Sequence, residues 1–132
     1  MTRQELESHL VLRKSLMEGR DLLFNLKQAV GPGTQALTGM PHAPGVKDKV
    51  GDLAIEIAYM ENRVNSLEAE VEKQAVAVKD FISGVQDDHL KIILSLRYIR
   101  GLTWGEVAYV LGGRNTESGV KSAVRRFFEA KS

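Results

Sequence analysis

The chain has 132 residues, 43% of them apolar and 27% charged, with no cysteine and a formal net charge of +1. This is the length and composition of about one globular domain, and it disfavours a disordered chain. The missing cysteines exclude a disulfide framework and any thiolate metal site.

No apolar run approaches the roughly 18 residues that span a bilayer, and the start MTRQELESHL lacks the hydrophobic stretch of a signal peptide. A cytoplasmic location without a membrane partner is therefore expected. Charge is unevenly spread: residues 1–95 carry 11 Lys+Arg against 14 Asp+Glu, or −3, and residues 96–132 carry 7 against 3, or +4. A basic segment is the electrostatic footprint of phosphate binding, and also of a solvated basic tail.

The first helix is announced by Thr2 and Glu5, a capping box, and the pattern carries it to about Val30. Leu12, Leu16, Gly19, Leu23, Leu26 and Val30 fall on one stripe. Before Leu12 the stripe slips: His9 and Glu5 occupy it, while Leu6 and Leu10 lie beside it. Residues 31–45 read GPGTQALTGMPHAPG and hold all three prolines, so a connector is expected there.

The clearest periodicity follows. Val46, Val50, Leu53, Ile57, Met60, Val64, Leu67, Val71, Gln74, Val78, Phe81 and Val85 alternate steps of four and three, with Gln74 the sole polar member. This predicts a coiled-coil helix of about forty residues, roughly 60 Å long at ~1.5 Å per residue. Its seam must be covered by the first helix folding back, by a second copy, or by both. Gln74 either fixes register or is a tolerated mismatch.

SGVQDD breaks the pattern, and Asp87 or Asp88 caps a short helix over residues 89–99 with Leu90, Ile93 and Leu94 inward, Arg97 and Tyr98 being candidates for the same side. Gly101 ends it. Thr103 and Glu106 form a second capping box, opening a helix through Leu111 with Val107, Ala108 and Leu111 inward. Gly112 and Gly113 supply a turn, and Asn115 or Thr116 caps a last helix with Val120, Ala123 or Val124, and Phe127 inward. Helix, glycine turn and basic helix together are the grammar of a helix-turn-helix. Trp104, Phe127 and Phe128 are read as packing residues.

If Val120, Val124 and Phe127 face the preceding helices, then Glu117, Ser118, Lys121, Ser122 and Arg125 form the outward face near the start of the last helix. Early residues of a recognition helix reach base edges in the major groove, so these five are the base-contact candidates, Lys121 and Arg125 foremost. Arg100, Thr103, Arg114, Arg126 and Lys131 are the phosphate-contact candidates, with the free amides that open the Trp104 helix. Any one of these cations can equally be a solvated surface charge.

Enzyme chemistry finds little support. His9, His42 and His89 are isolated, and there is no Gly-rich phosphate loop and no serine in a strand-turn-helix setting. Neither catalysis nor a metal or cofactor is expected.

The stretch RYIRGLTWGEVAYVLGG followed by a basic helix resembles sigma-factor region 4 and the small phage and prophage late transcription regulators of the RinA/ArpU type. Upstream, LTGMPHAPGVKDKVGDL is similar to the connector of a group of prophage proteins with the same long-helix, coiled-coil and reader plan. The pieces at residues 39–41 and 48–51 are its most distinctive part, and the resemblance covers most of the chain. The turn from Gly112 to Val120 is longer than in that pattern, and Gly119 is unusual inside a helix, where Gly costs about 1 kcal/mol relative to Ala. Gly119 is read either as a place of close approach to a neighbouring helix or as a sign that the helix starts later.

The expected architecture is thus all-α. A long antiparallel helical hairpin or coiled coil (residues 1–85, connector 31–45) precedes a small sigma-region-4-like helix-turn-helix domain (residues 86–132). The expected function is transcriptional regulation by sequence-directed binding of double-stranded DNA, in a bacterial host's cytosol if phage-encoded. Dimerisation is expected through Val50, Leu53, Ile57, Met60, Val64, Leu67, Val71 and Val78. The alternative is an interaction module docking onto RNA polymerase or another phage protein. A purely structural coiled-coil assembly would leave the +4 segment unexplained.

Overall fold

The computed structural model describes residues 1–30 and 52–131, and all secondary structure among them is helical. The elements are α1 (Arg3–Val30), α2 (Ala54–Ser83), α3 (Asp88–Leu94) running into a π-helical turn (Ser95–Ile99), α4 (Trp104–Leu111) and α5 (Glu117–Lys131). The connector at residues 31–45, with Val46, Val50 and the two distinctive pieces at 39–41 and 48–51, lies outside the described residues. None of the described helices is long and apolar enough to cross a membrane.

Local signals placed the helix ends well. Thr2 and Glu5 exchange backbone bonds at 3.0 and 3.1 Å. The Asp87 carboxylate accepts from the amides of His89 and Leu90, making Asp87 the cap of α3. Gly101, Gly112 and Gly113 all have positive φ. At 66° and 60°, Gly112 and Gly113 take the chain from α4 to α5 through left-handed geometry that is costly for any residue with a Cβ. Asn115 Nδ2 donates to the Gly112 carbonyl at 2.8 Å, closing this turn on itself.

Two expectations are corrected. The helix expected to run about forty residues from Val46 starts at Ala54, with Asp52 and Leu53 ahead of it, and stops at Ser83. The Gly84 amide turns back to the Phe81 carbonyl at 3.2 Å, which tightens the final turn. Val85 is nevertheless buried, because the heptad pattern reports burial rather than helical continuity. Gly119 is neither mid-helix nor a helix contact. It lies in the first turn of α5, where its amide donates to the Thr116 hydroxyl and an added Cβ would meet that oxygen at 3.0 Å.

The chain divides into two compact units, one formed by Met1–Leu12 with Val71–Ser132 and the other by Arg13–Glu70. The packing therefore does not divide at residue 85. The three C-terminal helices are too short to enclose a core alone, and Leu6 of α1 with Val78 and Ile82 of α2 completes it. Leu6, Ile93, Leu94, Tyr98, Val107 and Val124 are fully enclosed there. At its edge Phe81 packs against Phe127 and Phe128, with ring centroids 6.4 and 6.0 Å away.

In the second unit the heptad residues of α2 meet α1 of the same chain. Val64 and Leu67 are buried, as are Leu16 and Gly19 opposite. A Cβ on Gly19 would sit 3.3 Å from Val64 Cγ2, so glycine is what allows the helices this approach. Arg20 pairs with Glu68 and Lys27 with Glu61, an order that rises along α1 while it falls along α2, so the two run antiparallel.

Candidate nucleic-acid interface

The outward face of α5 is set by what its inner face buries. Val120 and Val124 are enclosed, and Phe127 and Phe128 are half-buried. Three and four residues apart, these positions occupy one side of the helix and leave Glu117, Ser118, Lys121 and Arg125 exposed, with Ser122 half-buried. All five base-contact candidates therefore share one surface. They line an open groove of about 560 Å³ together with Thr116 and Arg3.

The charges in this groove are partly engaged with one another. Lys121 Nζ lies 3.3 Å from Glu117 and Arg125 Nε lies 3.9 Å from Glu129, both one helical turn apart and mostly solvent-exposed. Exposed pairs of this kind are worth only a few tenths of a kcal/mol, so either cation can be drawn away by an arriving anion. The groove lining holds three cations, Arg3, Lys121 and Arg125, against one carboxylate, Glu117.

The phosphate-contact candidates differ in their surroundings. Arg100, Arg114 and Arg126 are exposed. The Thr103 hydroxyl accepts from the Glu106 amide at 3.2 Å, while the Glu106 carboxylate accepts from the Thr103 amide at 2.8 Å. The bond from the Thr103 amide, foremost, and then the Thr103 hydroxyl beside the carboxylate hold the Glu106 carboxyl below its usual value. The ammonium of Lys131 lies over the rings of Phe81 and Phe127, at 5.0 and 5.1 Å. It covers the aromatic edge of the core.

A polar cluster fixes α1 to the C-terminal helices. The Tyr98 hydroxyl donates to Glu7 Oε1 at 2.6 Å, and Arg97 donates to Glu7 Oε2 at 3.3 Å. Arg97 also reaches the Leu102 carbonyl at 3.0 Å and lies 4.8 Å above the Trp104 ring. Trp104 is itself 9% exposed and edge-on to Tyr98, the packing role expected of it. Burial, followed by the bond to Glu7, pushes the Tyr98 hydroxyl pKa well above the ordinary tyrosine value. The widened turn helps to assemble this cluster: the Arg100 amide bonds back five residues to Ser95 and the Leu102 amide six residues to Leu96. One cation of the basic C-terminal segment is thus neutralised internally.

Comparison of the chain with protein-family models, curated proteins and solved structures finds no match.

Sequence reading missed Arg3 and Glu7. The slip of the apolar stripe at Leu6, His9 and Leu10 was their available signal, since it shows that the first turns of α1 face something other than the rest of that helix. Among the described residues no cluster of His, Asp or Glu could hold a metal ion.

Proposed function

We propose that this chain is a DNA-binding transcriptional regulator in which α4 and α5 act as a helix-turn-helix and α5 enters the major groove. The observation that carries the reading is the single groove collecting Glu117, Ser118, Lys121, Ser122 and Arg125 on the outward face of a capped helix behind a glycine turn. Arg and Lys donate to guanine O6 and N7, Glu accepts from cytosine N4, and Ser is permissive. Arg114 and Arg126, exposed near the two ends of this face, suit flanking phosphates. The antiparallel α1 and α2 serve as a helical hairpin that holds the reader.

Dimerisation through the heptad seam belongs to this reading in reduced form: Val64, Leu67 and Val78 are already buried within one chain, which leaves the half-buried Leu53, Ile57, Met60 and Val71 as the described seam positions open to a second copy. Outward apolar positions such as Phe24 and Tyr59, which are 62% and 65% exposed, extend the surface through which two copies meeting a two-fold site would associate.

Selection from random duplexes followed by anisotropy titration tests the function. An enriched sequence is expected, with Arg125→Ala losing about 1 to 3 kcal/mol on it and little on a scrambled duplex, while Arg126→Ala weakens both. No enrichment even at low salt would defeat it.

A second reading is a protein-docking module for RNA polymerase or another partner. It is favoured by Tyr109 and Val110 on α4, which are 88% and 56% exposed. Salt separates the two: DNA affinity falls steeply as salt rises, whereas an apolar protein contact changes little.

A further inference from the structure

We propose that Arg3, at the amino-terminal end of α1, is part of the same DNA interface and contacts a backbone phosphate across the groove from α5. The inference rests on the DNA-binding reading above and extends it to an element that belongs to no helix-turn-helix.

Three observations support it. Arg3 is exposed and lines the groove with Lys121 and Arg125, so cations come from two different helices. Its guanidinium takes part in none of the ion pairs among the described residues, whereas Lys121 and Arg125 each have a carboxylate partner on α5. Its place is also held firmly. The capping box fixes the first turn of α1. Leu6 is fully buried, and Glu7, one turn beyond Arg3 on the same side, is gripped by Tyr98 and Arg97. An anchored first turn presents the side chain at little cost in backbone ordering.

The ligand chemistry follows from the donor. A guanidinium offers a planar fork that matches two phosphate oxygens, and a groove with cations from two different helices suits a polyanion lying along it. A phosphate contact carries no sequence information, so Arg3 supports binding to any duplex equally.

The test titrates a fluorescein-labelled duplex of arbitrary sequence with wild type, Arg3→Ala and Arg3→Lys over a salt series. Each neutralised phosphate adds about 0.9 to the slope of log affinity against log salt, equivalent to about eightfold at about 0.1 M salt. Arg3→Ala is expected to lose that affinity and that slope, and Arg3→Lys to keep the slope. If wild type binds and Arg3→Ala matches it in affinity and slope, the inference is overturned and the DNA reading stands. A weaker Arg3→Ala with unchanged slope also overturns it, since the loss then reflects structure rather than a charge contact. Failure of wild type to bind any duplex at low salt overturns both.

Discussion

The hydroxyl of Tyr98 donates to Oε1 of Glu7 at 2.6 Å, tying the second turn of α1 to the π-helical turn after α3. The two ends of this bond are unequal. Tyr98 is fully buried, while the Glu7 side chain keeps 36% of its surface in solvent. Glu7→Ala removes the acceptor of a buried hydroxyl and one of the two acceptors of Arg97, which should cost about 2 to 3 kcal/mol. Tyr98→Phe leaves a carboxylate that can turn to water and should cost nearer 1 kcal/mol. Urea unfolding of both variants measures this, and the reverse order would mean that the bond is not what holds α1 here.

His9 and Gln74 meet at 3.0 Å between Nδ1 and Oε1. Each is a polar member of a largely apolar stripe, and His9 is only 2% exposed. Gln74→Leu should destabilise by about 1 to 3 kcal/mol, because it leaves a buried ring nitrogen short of a partner. Adding His9→Leu should recover much of that loss, since two apolar groups can face one another. A double-mutant cycle with no coupling would show that the pair does not act as a unit.

These two pairs also mark the limit of what the chain showed beforehand. Caps at Thr2, Asp87 and Thr103 and the turn at Gly112 and Gly113 were legible because each is made by residues within a few positions of one another. The outward face of α5 was legible because its inner apolar residues recur at helical spacing. Glu7 with Tyr98, and His9 with Gln74, are separated by 91 and 65 positions, so only the folded chain brings them together. His9 read as a slip in its stripe and Gln74 as either a register-fixing residue or a tolerated mismatch, and neither pointed to the other. The end of α2 was misjudged for a related reason: Val85 keeps the apolar period and is buried although the helix stops at Ser83.

Adjacent isoleucines give a sharp contrast in packing. Ile93 is fully buried and Ile92 is 49% exposed. Ile93→Ala should cost about 2 to 5 kcal/mol, the range for large-to-small changes in a close-packed core. Ile92→Ala should stay within about 0.5 kcal/mol. Denaturant midpoints for the two variants check the register of α3; similar losses would show that it is wrong.

The start of α4 should respond to acid. Bonds from Thr103 lower the Glu106 carboxyl from its ordinary value of 4.5. The folded state therefore releases this proton more readily than the unfolded one. The stabilisation is complete above the ordinary value and fades as pH falls through the lowered one. Glu106→Gln keeps an oxygen for the Thr103 amide but cannot titrate. Its deficit against wild type should be constant near neutrality and shrink as the solution is made acidic well below 4.5. Urea midpoints over a pH series measure this, and a deficit independent of pH would show that the carboxylate charge has no part in the cap.

Glu117 is the sole carboxylate lining the groove, and it lies 3.3 Å from Lys121. On the DNA-binding reading it has two effects that oppose each other. It repels phosphate and holds back Lys121, which lowers affinity for any duplex, and it offers an acceptor to cytosine N4, which favours particular sequences. Glu117→Gln removes the repulsion while keeping the size and the cap at Thr116. Binding to a scrambled duplex should therefore tighten severalfold and its salt slope should steepen, as Lys121 becomes free to pair with phosphate. Binding to the preferred sequence should gain less, so the ratio between the two falls. Side-by-side anisotropy titrations on both duplexes give that ratio directly, and an unchanged ratio would remove Glu117 from base reading while leaving Lys121 and Arg125 in place.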